Sequence, residues 1–432
     1  MTKPDYRIRK NNLPVAAKIE DKARRNMKTI FVNRFFYPDH SATSQILSEL
    51  AFRLAEKGHT IEIITSRLRY DDPGAQLPAF ENIRNVKVHR VASTRFGRAW
   101  LPGRLFDYLS FYLSASWRLL RLTQSGDIVV AKTDPPMISL PASWVARTKA
   151  ASLVNWLQDI FPEVAQALGI KGIPSFAYAV LLKLRNSTTR NARQNVVLGE
   201  VMAQHLRDQG VADNRITVIH NMAVGPAIEA IPREQASLRD SWGLKDKFVV
   251  CYSGNLGRAH DYDTMLDAAR LLQKQANIVF LFIGGGANFS KLKQATDNEK
   301  LANIRFEPYQ DIELLSQSLA VADAHLVSLR PELEGLIVPS KIYGIMAAGR
   351  ATLFIGSSSG EIAGLLERCN AGETIAQGDA QALANKIRAL AEDPGRCKTL
   401  GDNARSAYQD NYMTDSIMLR WEKVLFPAQT DN

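Results

Sequence analysis

Residues suited to binding a phosphorylated sugar are concentrated at residues 331–350, which read PELEGLIVPSKIYGIMAAGR. The preceding run AHLVSL predicts a strand, and KIYGIMAAG predicts a helix that begins directly after the loop. Such a junction presents unpaired N–H groups at the positive end of a helix dipole, where a diphosphate binds. Lys341 adds a positive charge, and Glu332 or Glu334 can accept hydrogen bonds from sugar hydroxyls. The pattern predicts a nucleotide-sugar site, although a loop with no ligand can have the same composition.

The composition is that of a globular protein with an anionic partner. With 432 residues, 46% hydrophobic and 23% charged, the chain is long enough for two domains. Its net charge of +10 indicates nucleic acid, an acidic membrane surface or a phosphorylated substrate. The three cysteines, Cys251, Cys369 and Cys397, have no C-x-x-C spacing, so neither a disulfide framework nor a zinc site is predicted. A reducing cytoplasm fits this pattern.

Two features of the sequence bear on targeting. The apolar runs are shorter than the roughly 18 to 20 residues that cross a bilayer, so no transmembrane span is predicted. Residues 1–26 are basic and lack the apolar region of a secretory signal. We interpret them as a flexible basic extension.

The rest of the chain alternates strands and helices in two similar halves. TIFVNRFF, the loop YPDHSATSQ, the helical ILSELAFRLAEKGH and the strand TIEIITS open the first half, residues 27–222. Residues 223–246, with two prolines, are the predicted linker, and residues 247–411 repeat the pattern with glycine-rich loops. We expect the helix within residues 412–432 to cross back to the first half. The predicted fold is α/β, with two Rossmann-like, doubly wound domains facing a cleft.

Asp159 follows the apolar run SLVNWLQ within residues 151–169. A polar residue at the carboxyl end of a strand lies where open α/β sheets bind ligands. Capping of the next helix is the structural alternative, and the sequence leaves both open.

Two segments of the first half combine arginines with aromatic residues. Residues 93–122 hold five arginines and one acid, Asp107, and the interval between Glu163 and Glu200 has no acid at all. Arg-rich helices with Trp and Phe bind the headgroup region of anionic membranes, although helices packed on a sheet with solvated arginines fit equally well. The predicted membrane contacts are Arg98, Trp100, Arg104, Phe111, Trp117 and Arg118.

The order of these features resembles the GT-B glycosyltransferases of the family 4 type, especially those that build bacterial O-antigen, capsule or colanic-acid units. The resemblance covers about residues 27–425. The pieces that carry it are FYPDHSATSQILSELAFRLAEKGHTIEIITSR, NWLQDIFPEVAQALG, VVLGEVMAQHLRDQGV with ITVIHN, YSGNLGRAHDYDTMLDAARLL, FIGGG, NIRFEPY and VPSKIYGIMAAGR.

The resemblance assigns residues to the two sides of the cleft. On the donor side, Arg258 and Lys341 face the diphosphate, and the backbone of residues 334–338 contacts the sugar and its phosphates. The implied catalytic residues are Asp159, Arg258, Lys341 and Glu334. The implied donor-binding residues are Ser253, Gly254, Asn255, Gly284, Gly285, Pro308, Tyr309, Gly335, Leu336, Ile337, Val338, Ser340 and Tyr343. The implied acceptor-side residues are Asp39, His40, Ser41, Thr43 and Ser44, with Asp159 orienting or deprotonating the acceptor hydroxyl.

The family's paired glutamates, separated by seven residues, are missing. Gly344 stands at the second position and Leu336 at the first, and a Gly-Asn-Leu turn leaves Arg258 and His260 as the nearest cations. Recognition of the ribose and the sugar must then be arranged differently, or by Lys341 and Glu334. Asp261-Tyr262-Asp263 spells D-x-D, a metal motif of the other glycosyltransferase fold, but at a helix start these carboxylates are better suited to capping.

The function implied is a retaining, metal-independent glycosyltransferase without a cofactor. It would move a sugar from a nucleoside-diphosphate sugar to a polyprenyl-diphosphate-linked saccharide, as a peripheral enzyme at the cytoplasmic side of the inner membrane. One alternative is an inactive interaction subunit of a polysaccharide assembly complex, which the missing glutamates motivate. A nucleotide-sugar epimerase or hydrolase on the same fold is another. A nucleic-acid partner is not expected, since the charge is spread through the two Arg-rich segments.

Overall fold

A computed structural model describes residues 27–70, 72, 74–96, 101–170, 174–223 and 227–427 of the chain. The predicted basic extension, residues 1–26, lies outside them, as do Arg98 and Trp100. Within the described residues no helix combines the length and apolar character needed to cross a membrane.

The described residues form two sets of strands joined by helices. The strands of the first set are β1 Lys28–Val32, β2 Thr60–Ser66, β3 Phe80–Ile83, β4 Val86–Val91, β5 Ile128–Lys132, β6 Ser152–Trp156, β7 Gln194–Val197 and β8 Ile216–Val218. Those of the second are β9 Phe248–Asn255, β10 Ile278–Gly285, β11 Ile304–Glu307, β12 Ala324–Ser328, β13 Ala351–Ile355 and β14 Gly372–Ile375.

The helices connect successive strands. Those around the first set are α1 Ala42–Glu56, α2 Leu101–Leu122, α3 Ser139–Thr148, α4 Glu163–Ala167, α5 Ser175–Asn191 and α6 Glu200–Asp208. Those that follow are α7 Ser237–Ser241, α8 Asp263–Leu272, α9 Phe289–Glu299, α10 Leu315–Ala320, α11 Lys341–Ala347, α12 Glu361–Cys369, α13 Ala380–Glu392, α14 Pro394–Asn411 and α15 Thr414–Leu425.

The two sets of strands make two separate sheets. The first has the order β3-β4-β2-β1-β5-β6-β7-β8 and is parallel except for β3, which runs antiparallel to β4. The second has the order β11-β10-β9-β12-β13-β14, and its strand pairs are parallel. Central strands such as β5 and β13 are buried along their whole length because helices cover both faces. The predicted α/β fold with two Rossmann-like domains is confirmed.

The last helix, α15, packs against the first sheet. Its buried residues, which include Ile417 and Trp421, join the core that contains Phe31 and Trp156. The rings of Trp156 and Trp421 meet edge to face, with centroids 4.6 Å apart. The chain therefore enters the second sheet and returns to the first.

The two halves also touch across the cleft. Asp159, after β6, and Ile337, after β12, form an antiparallel β-bridge, and the N–H of Ile160 donates to the carbonyl of Leu336 over 2.9 Å. At a second contact, the N–H of Val201 in α6 donates to the Glu361 carboxylate over 3.1 Å. The two halves thus contact each other at both points.

Candidate active site

The strand order identifies where ligands bind. It reverses beside β1 in the first sheet, between β2 and β5, and beside β9 in the second, between β10 and β12. Open parallel sheets bind ligands at the carboxyl ends of the strands at such points. The loops after β1, β5, β9 and β12 therefore border the candidate site.

Lys341 is the cation best placed on the second sheet. It is the first residue of α11, after Ser340, and its Nζ lies 3.6 Å from the centroid of the Tyr252 ring in β9. The Nζ atom is shielded from solvent and has no hydrogen-bond partner among the described residues. Burial lowers the pKa of Lys341 to about 7. Apart from the Tyr252 ring, the Nζ donors of Lys341 are therefore available to a further group at this edge.

The glycine turn beside Lys341 allows close approach of backbones. Gly254 and Gly284 have φ values of +115° and +126°, and a Cβ on Gly284 would lie 2.5 Å from the Gly254 carbonyl oxygen. The Tyr309 ring lies over the turn, because a Cβ on Gly285 would be 3.3 Å from it. Tyr309 is 61% exposed and follows the exposed Pro308, so its ring is open to a nucleotide base. Ser253 and Asn255, at the end of β9, complete this edge.

The two other candidate cations differ. Arg258 is exposed in the loop after β9 and forms no ion pair with any residue that the structure describes. His260 is not a cation, so that expectation is wrong. Burial, together with the nearby charge of Lys341, lowers its pKa to about 3, and its Nδ1 lies 2.5 Å from the Ser328 carbonyl oxygen. Arg258 and Lys341 remain the candidate cations on this side.

Backbone N–H groups in the loop of residues 334–338 form hydrogen bonds within their own turn. The N–H groups of Glu334, Leu336 and Ile337 donate to carbonyls within the turn that begins at Pro331, so they do not point at a ligand in this conformation. Gly335 makes the turn possible with a φ of +72°. The side chains of Leu336 and Val338 are buried in the core shared by the two halves.

Glu334 has a structural contact as well as a free oxygen. Its Oε2 accepts the N–H of Glu361 over 3.3 Å, at the start of α12. Its Oε1 is buried without a partner among the described residues. Burial, with the nearby carboxylate of Glu361 adding to it, raises the pKa of Glu334 to about 7. The side chain can therefore carry a proton at neutral pH.

Gly344, at one position of the missing glutamates, and its neighbour Tyr343 face other protein side chains. Tyr343 is 1% exposed, and its hydroxyl lies 3.2 Å from Nδ1 of His220 in the first half. The prediction that Tyr343 binds the donor is wrong, because its ring fills the core between the halves. A Cβ on Gly344 would meet Ile228 and Leu319 at 3.7 Å, so this position looks onto apolar side chains.

Asp159 is a buried titratable residue beside the contact between the two halves. Burial raises its pKa to about 6, with Asp134 adding to the rise and Lys132 opposing it. The alternative that Asp159 caps a helix is wrong, since the residue before α4 is Pro162. Asp159 lines a cavity of about 20 Å³ together with Thr133, Ser139 and Arg185. That volume suits one water molecule beside the carboxylate.

Lys132 belongs to the site and was not predicted. It ends β5, has no exposed surface, and its Nζ donates to the Thr43 carbonyl over 2.8 Å and lies 3.8 Å from the Trp156 ring centroid. Burial lowers its pKa well below the usual value, while Asp134 and Asp159 oppose that shift. A lysine at the end of an otherwise apolar strand, DIVVAK, was the available signal.

The loop after β1 is shaped by its own buried groups. Asp39 is 4% exposed and accepts the N–H groups of Ser41 and Tyr70, and Ser44 has no exposed surface. The prediction that Asp39 and Ser44 contact the acceptor is wrong, because both are buried inside the loop and α1. His40 is exposed, and Ser41 and Thr43 are partly exposed.

The outer face of α2 is apolar and exposed. Leu113 and Trp117 are 75% and 59% exposed, and Arg104 and Arg118 are partly exposed beside them. Phe111 has no exposed surface and packs in the core on the first sheet, so its prediction as a membrane contact is wrong. The exposed apolar side chains of α2 are Leu105, Phe106, Leu109, Leu113 and Trp117; those of α3 and α5 are Trp144, Phe176, Val180 and Leu184.

Two family models match the chain. The model described as glycosyl transferase 4-like domain matches residues 42–222, and that described as glycosyl transferases group 1 matches residues 234–407. The first match contains Asp159 and the second contains Arg258 and Lys341.

Several known proteins are similar over most of the chain. The probable glycosyltransferase WbjE of Pseudomonas aeruginosa is 28% identical over 69% of this chain and 74% of its own length. The putative colanic acid biosynthesis glycosyl transferase WcaI of Escherichia coli (strain K12) is 22% identical over 79% of this chain and 86% of its own. The crystal structure of HepE from Anabaena with UDP-glucose has a TM-score of 0.69 at 17% identity, covering 92% of this chain and 99% of that one.

Proposed function

This chain belongs to the GT-B glycosyltransferases that join a glycosyl transferase 4-like domain to a group 1 domain, and we propose that it glycosylates a lipid-linked saccharide in surface polysaccharide biosynthesis. The donor is a nucleoside-diphosphate sugar, and the acceptor is a saccharide linked to a polyprenyl diphosphate. The anomeric configuration is retained, and no metal or cofactor takes part. The names of WbjE and WcaI, and the UDP-glucose bound to HepE, support this proposal.

The buried Nζ of Lys341, which has no hydrogen-bond partner among the described residues, is the observation that carries the proposal. Cleavage of a sugar–phosphate bond leaves a diphosphate and an oxocarbenium-like centre, so cations must stabilise the departing charge. Lys341 lies beside the glycine turn that ends β9, with its Nζ 3.9 Å from where a Cβ on Gly254 would be. A bound diphosphate restores the full charge of Lys341, because a nearby anion favours the protonated form. Arg258, exposed on the next loop, adds a second cation.

Asp159 serves the acceptor. It lies at the carboxyl edge of the first sheet, opposite the loop that contains Ile337. With a pKa of about 6 its carboxylate is ionised at neutral pH and can orient the acceptor hydroxyl or take its proton. Lys132, at the end of β5, fixes the neighbouring loop through its hydrogen bond to the Thr43 carbonyl in α1 and lowers the pKa of Asp159 relative to burial alone.

The exposed face of α2 contacts the anionic inner leaflet at the cytoplasmic side. Trp117 and Leu113 enter the headgroup region, while Arg118 meets the lipid phosphates. The single acid of the segment, Asp107, is buried at 2% exposure, so it does not repel an anionic surface. The enzyme can then reach a lipid-linked acceptor while the acceptor's lipid stays in the membrane.

One assay tests the reaction. The protein is incubated with a labelled polyprenyl-diphosphate sugar and a panel of nucleotide sugars, and the product's anomeric configuration is read by NMR. We expect transfer from one donor with retention, and none with Lys341→Ala. Absence of turnover together with absence of any donor-dependent thermal shift would reject the proposal. A new nucleotide sugar, or free sugar, formed without acceptor would instead identify an epimerase or a hydrolase.

An inactive interaction subunit is the second candidate. Gly344 and Leu336 stand where related enzymes have glutamates, and Gly344 faces the apolar Ile228 and Leu319. If Arg258→Ala and Lys341→Ala leave polysaccharide production by the cell unchanged, this second function replaces the first.

A further inference from the structure

Two arginines flank one tyrosine ring at the edge of the first sheet. The Cζ atoms of Arg34 and Arg104 lie 5.2 Å and 5.4 Å from the centroid of the Tyr108 ring. The Nε of Arg104 also donates to the Tyr108 hydroxyl over 2.7 Å. Neither the acceptor loop nor the donor site described above includes these residues.

Arg34 has an acidic neighbour in α2, Asp107. Asp107 approaches Arg34, with 3.7 Å between Oδ2 and Nη2, and is buried at 2% exposure. Its Oδ1 also accepts from the Thr94 hydroxyl at 2.8 Å and from the Phe96 N–H at 2.9 Å. The Arg34 Nε is buried without a hydrogen-bond partner, and Arg104 pairs with no carboxylate, among the residues that the structure describes. The Nε–H of Arg34 therefore remains for an anion, and Arg104 lies beside it around the same ring.

The pair lies between the cleft and the exposed face of α2. Arg34 follows β1, at the reversal of strand order, where its N–H donates to the Asp134 carbonyl over 2.6 Å. Arg104 and Tyr108 belong to the first two turns of α2. The exposed Leu109, Leu113 and Trp117 continue along the same helix. An elongated ligand that reaches from this face into the cleft passes the two arginines.

We propose that Arg34 and Arg104, held around Tyr108, bind the diphosphate of the lipid-linked acceptor. This inference rests on the proposed function, since it takes the acceptor to be an isoprenoid, a diphosphate and a sugar in that order. The isoprenoid covers the apolar face of α2, the diphosphate meets the two guanidinium groups, and the sugar extends toward Asp159. Guanidinium groups suit this role because their N–H donors match two phosphate oxygens at once. Arg34, at 8% exposure, is shielded from water, which strengthens the attraction.

Binding of farnesyl diphosphate to the full-length protein, measured by calorimetry without detergent or vesicles, tests the assignment. We expect Arg104→Gln to weaken binding about tenfold, the usual effect of losing one charge-assisted hydrogen bond. Arg34→Lys keeps the charge but loses the fork of donors, so it also weakens binding, and its melting temperature shows whether it folds. Arg121→Gln is the matched control, because Arg121 stacks on Trp117 at the other end of the same helix, with Cζ 4.7 Å from the ring centroid. Farnesol binds equally to all four proteins.

Three results would overturn the inference. The first is a wild-type protein that does not bind farnesyl diphosphate, and the second is binding that Arg104→Gln leaves unchanged. The third is an Arg104→Gln variant that binds phosphatidylglycerol vesicles more weakly but farnesyl diphosphate as tightly as wild type does. That result would mean that Arg104 binds a lipid headgroup and not the acceptor's diphosphate. Failure of the proposed function looks different. In that case Arg104-dependent binding of farnesyl diphosphate persists, while no nucleotide sugar supports transfer.

Discussion

Asp159 and Ile337 pair as an antiparallel β-bridge, although they belong to the loops of different sheets. The bridge places the candidate acceptor carboxylate directly against the loop that precedes Lys341. Backbone hydrogen bonds between two lobes specify distance more closely than side-chain contacts do, because neither partner has rotamers to change. We therefore expect substitutions of residues that hold the lobes together to affect binding as well as stability.

The Glu361 carboxylate is such a residue. It accepts the N–H of Val201 at the first turn of α6, across the cleft. We expect Glu361→Ala to lower the free energy of unfolding by about 1 to 3 kcal/mol, since a partly buried N–H loses a charged acceptor. It should also raise the radius of gyration in solution scattering and the KM for the donor. Glu367→Ala, an exposed acid of the same helix, is the control. Unchanged scattering and stability in Glu361→Ala would show that the contact does not hold the lobes.

Asp159→Asn tests the acceptor carboxylate through pH. In the wild-type enzyme, kcat/KM should rise as pH increases through about 6, where Asp159 ionises. The variant should lose about 10² to 10⁴ in rate, together with that limb of the profile. Asp410→Asn, at an exposed position, is the control and should keep both the wild-type rate and the acidic limb of the pH profile. A limb that survives in Asp159→Asn would assign the titration to another group.

The same substitution has an opposite effect on stability. The pKa of Asp159 is higher in the folded protein than the ordinary value near 4, so the native state binds the extra proton between about pH 4 and 6. The wild-type protein therefore loses stability, by about 2 to 3 kcal/mol, as pH rises through that window. Asp159→Asn lacks this loss and should melt at a higher temperature than wild type at pH 8, with no advantage at pH 4. Melting curves of both proteins at pH 4 and pH 8 measure this difference in stability.

The sequence predicted the two sheets because hydrophobic periodicity and glycine-rich turns repeat in both halves. It placed Lys341 and Asp159 after strands for the same reason. It assigned Tyr343 and Phe111 wrongly, since a residue's position in a helical repeat tells which neighbours share its face but not whether that face meets solvent or core. Lys132 was missed because a lysine inside an apolar strand is recognisable as part of a site only when Thr43 and Trp156 are seen around it. Whether such a residue is buried or belongs to a site depends on contacts between segments that are distant in the sequence.

Phe111 and Leu113 give a direct test of which face of α2 is buried. Phe111 has no exposed surface, whereas Leu113 is 75% exposed. Phe111→Ala should cost about 3 to 5 kcal/mol of unfolding free energy, and Leu113→Ala less than about 0.5 kcal/mol. Urea denaturation of both variants measures this difference. Equal costs would mean that the helix is rotated from the orientation described.

Lys341→Met separates ligand binding from stability at the donor site. Burial without a partner lowers the pKa of Lys341 to about 7, so the unfolded chain binds more protons than the native state between about pH 7 and 10. Wild-type stability should therefore rise with pH across that window, and Lys341→Met, which has no charge to bury, should be more stable than wild type at pH 6.

The same variant should bind UDP at least tenfold more weakly, because the diphosphate loses its buried cation. Lys293→Met, an exposed lysine of α9, should change neither property. Calorimetric titration with UDP and melting curves at pH 6 and pH 9 give both quantities. A variant that binds UDP as tightly as wild type would mean that Lys341 is buried for packing alone and that Arg258 or another group holds the diphosphate.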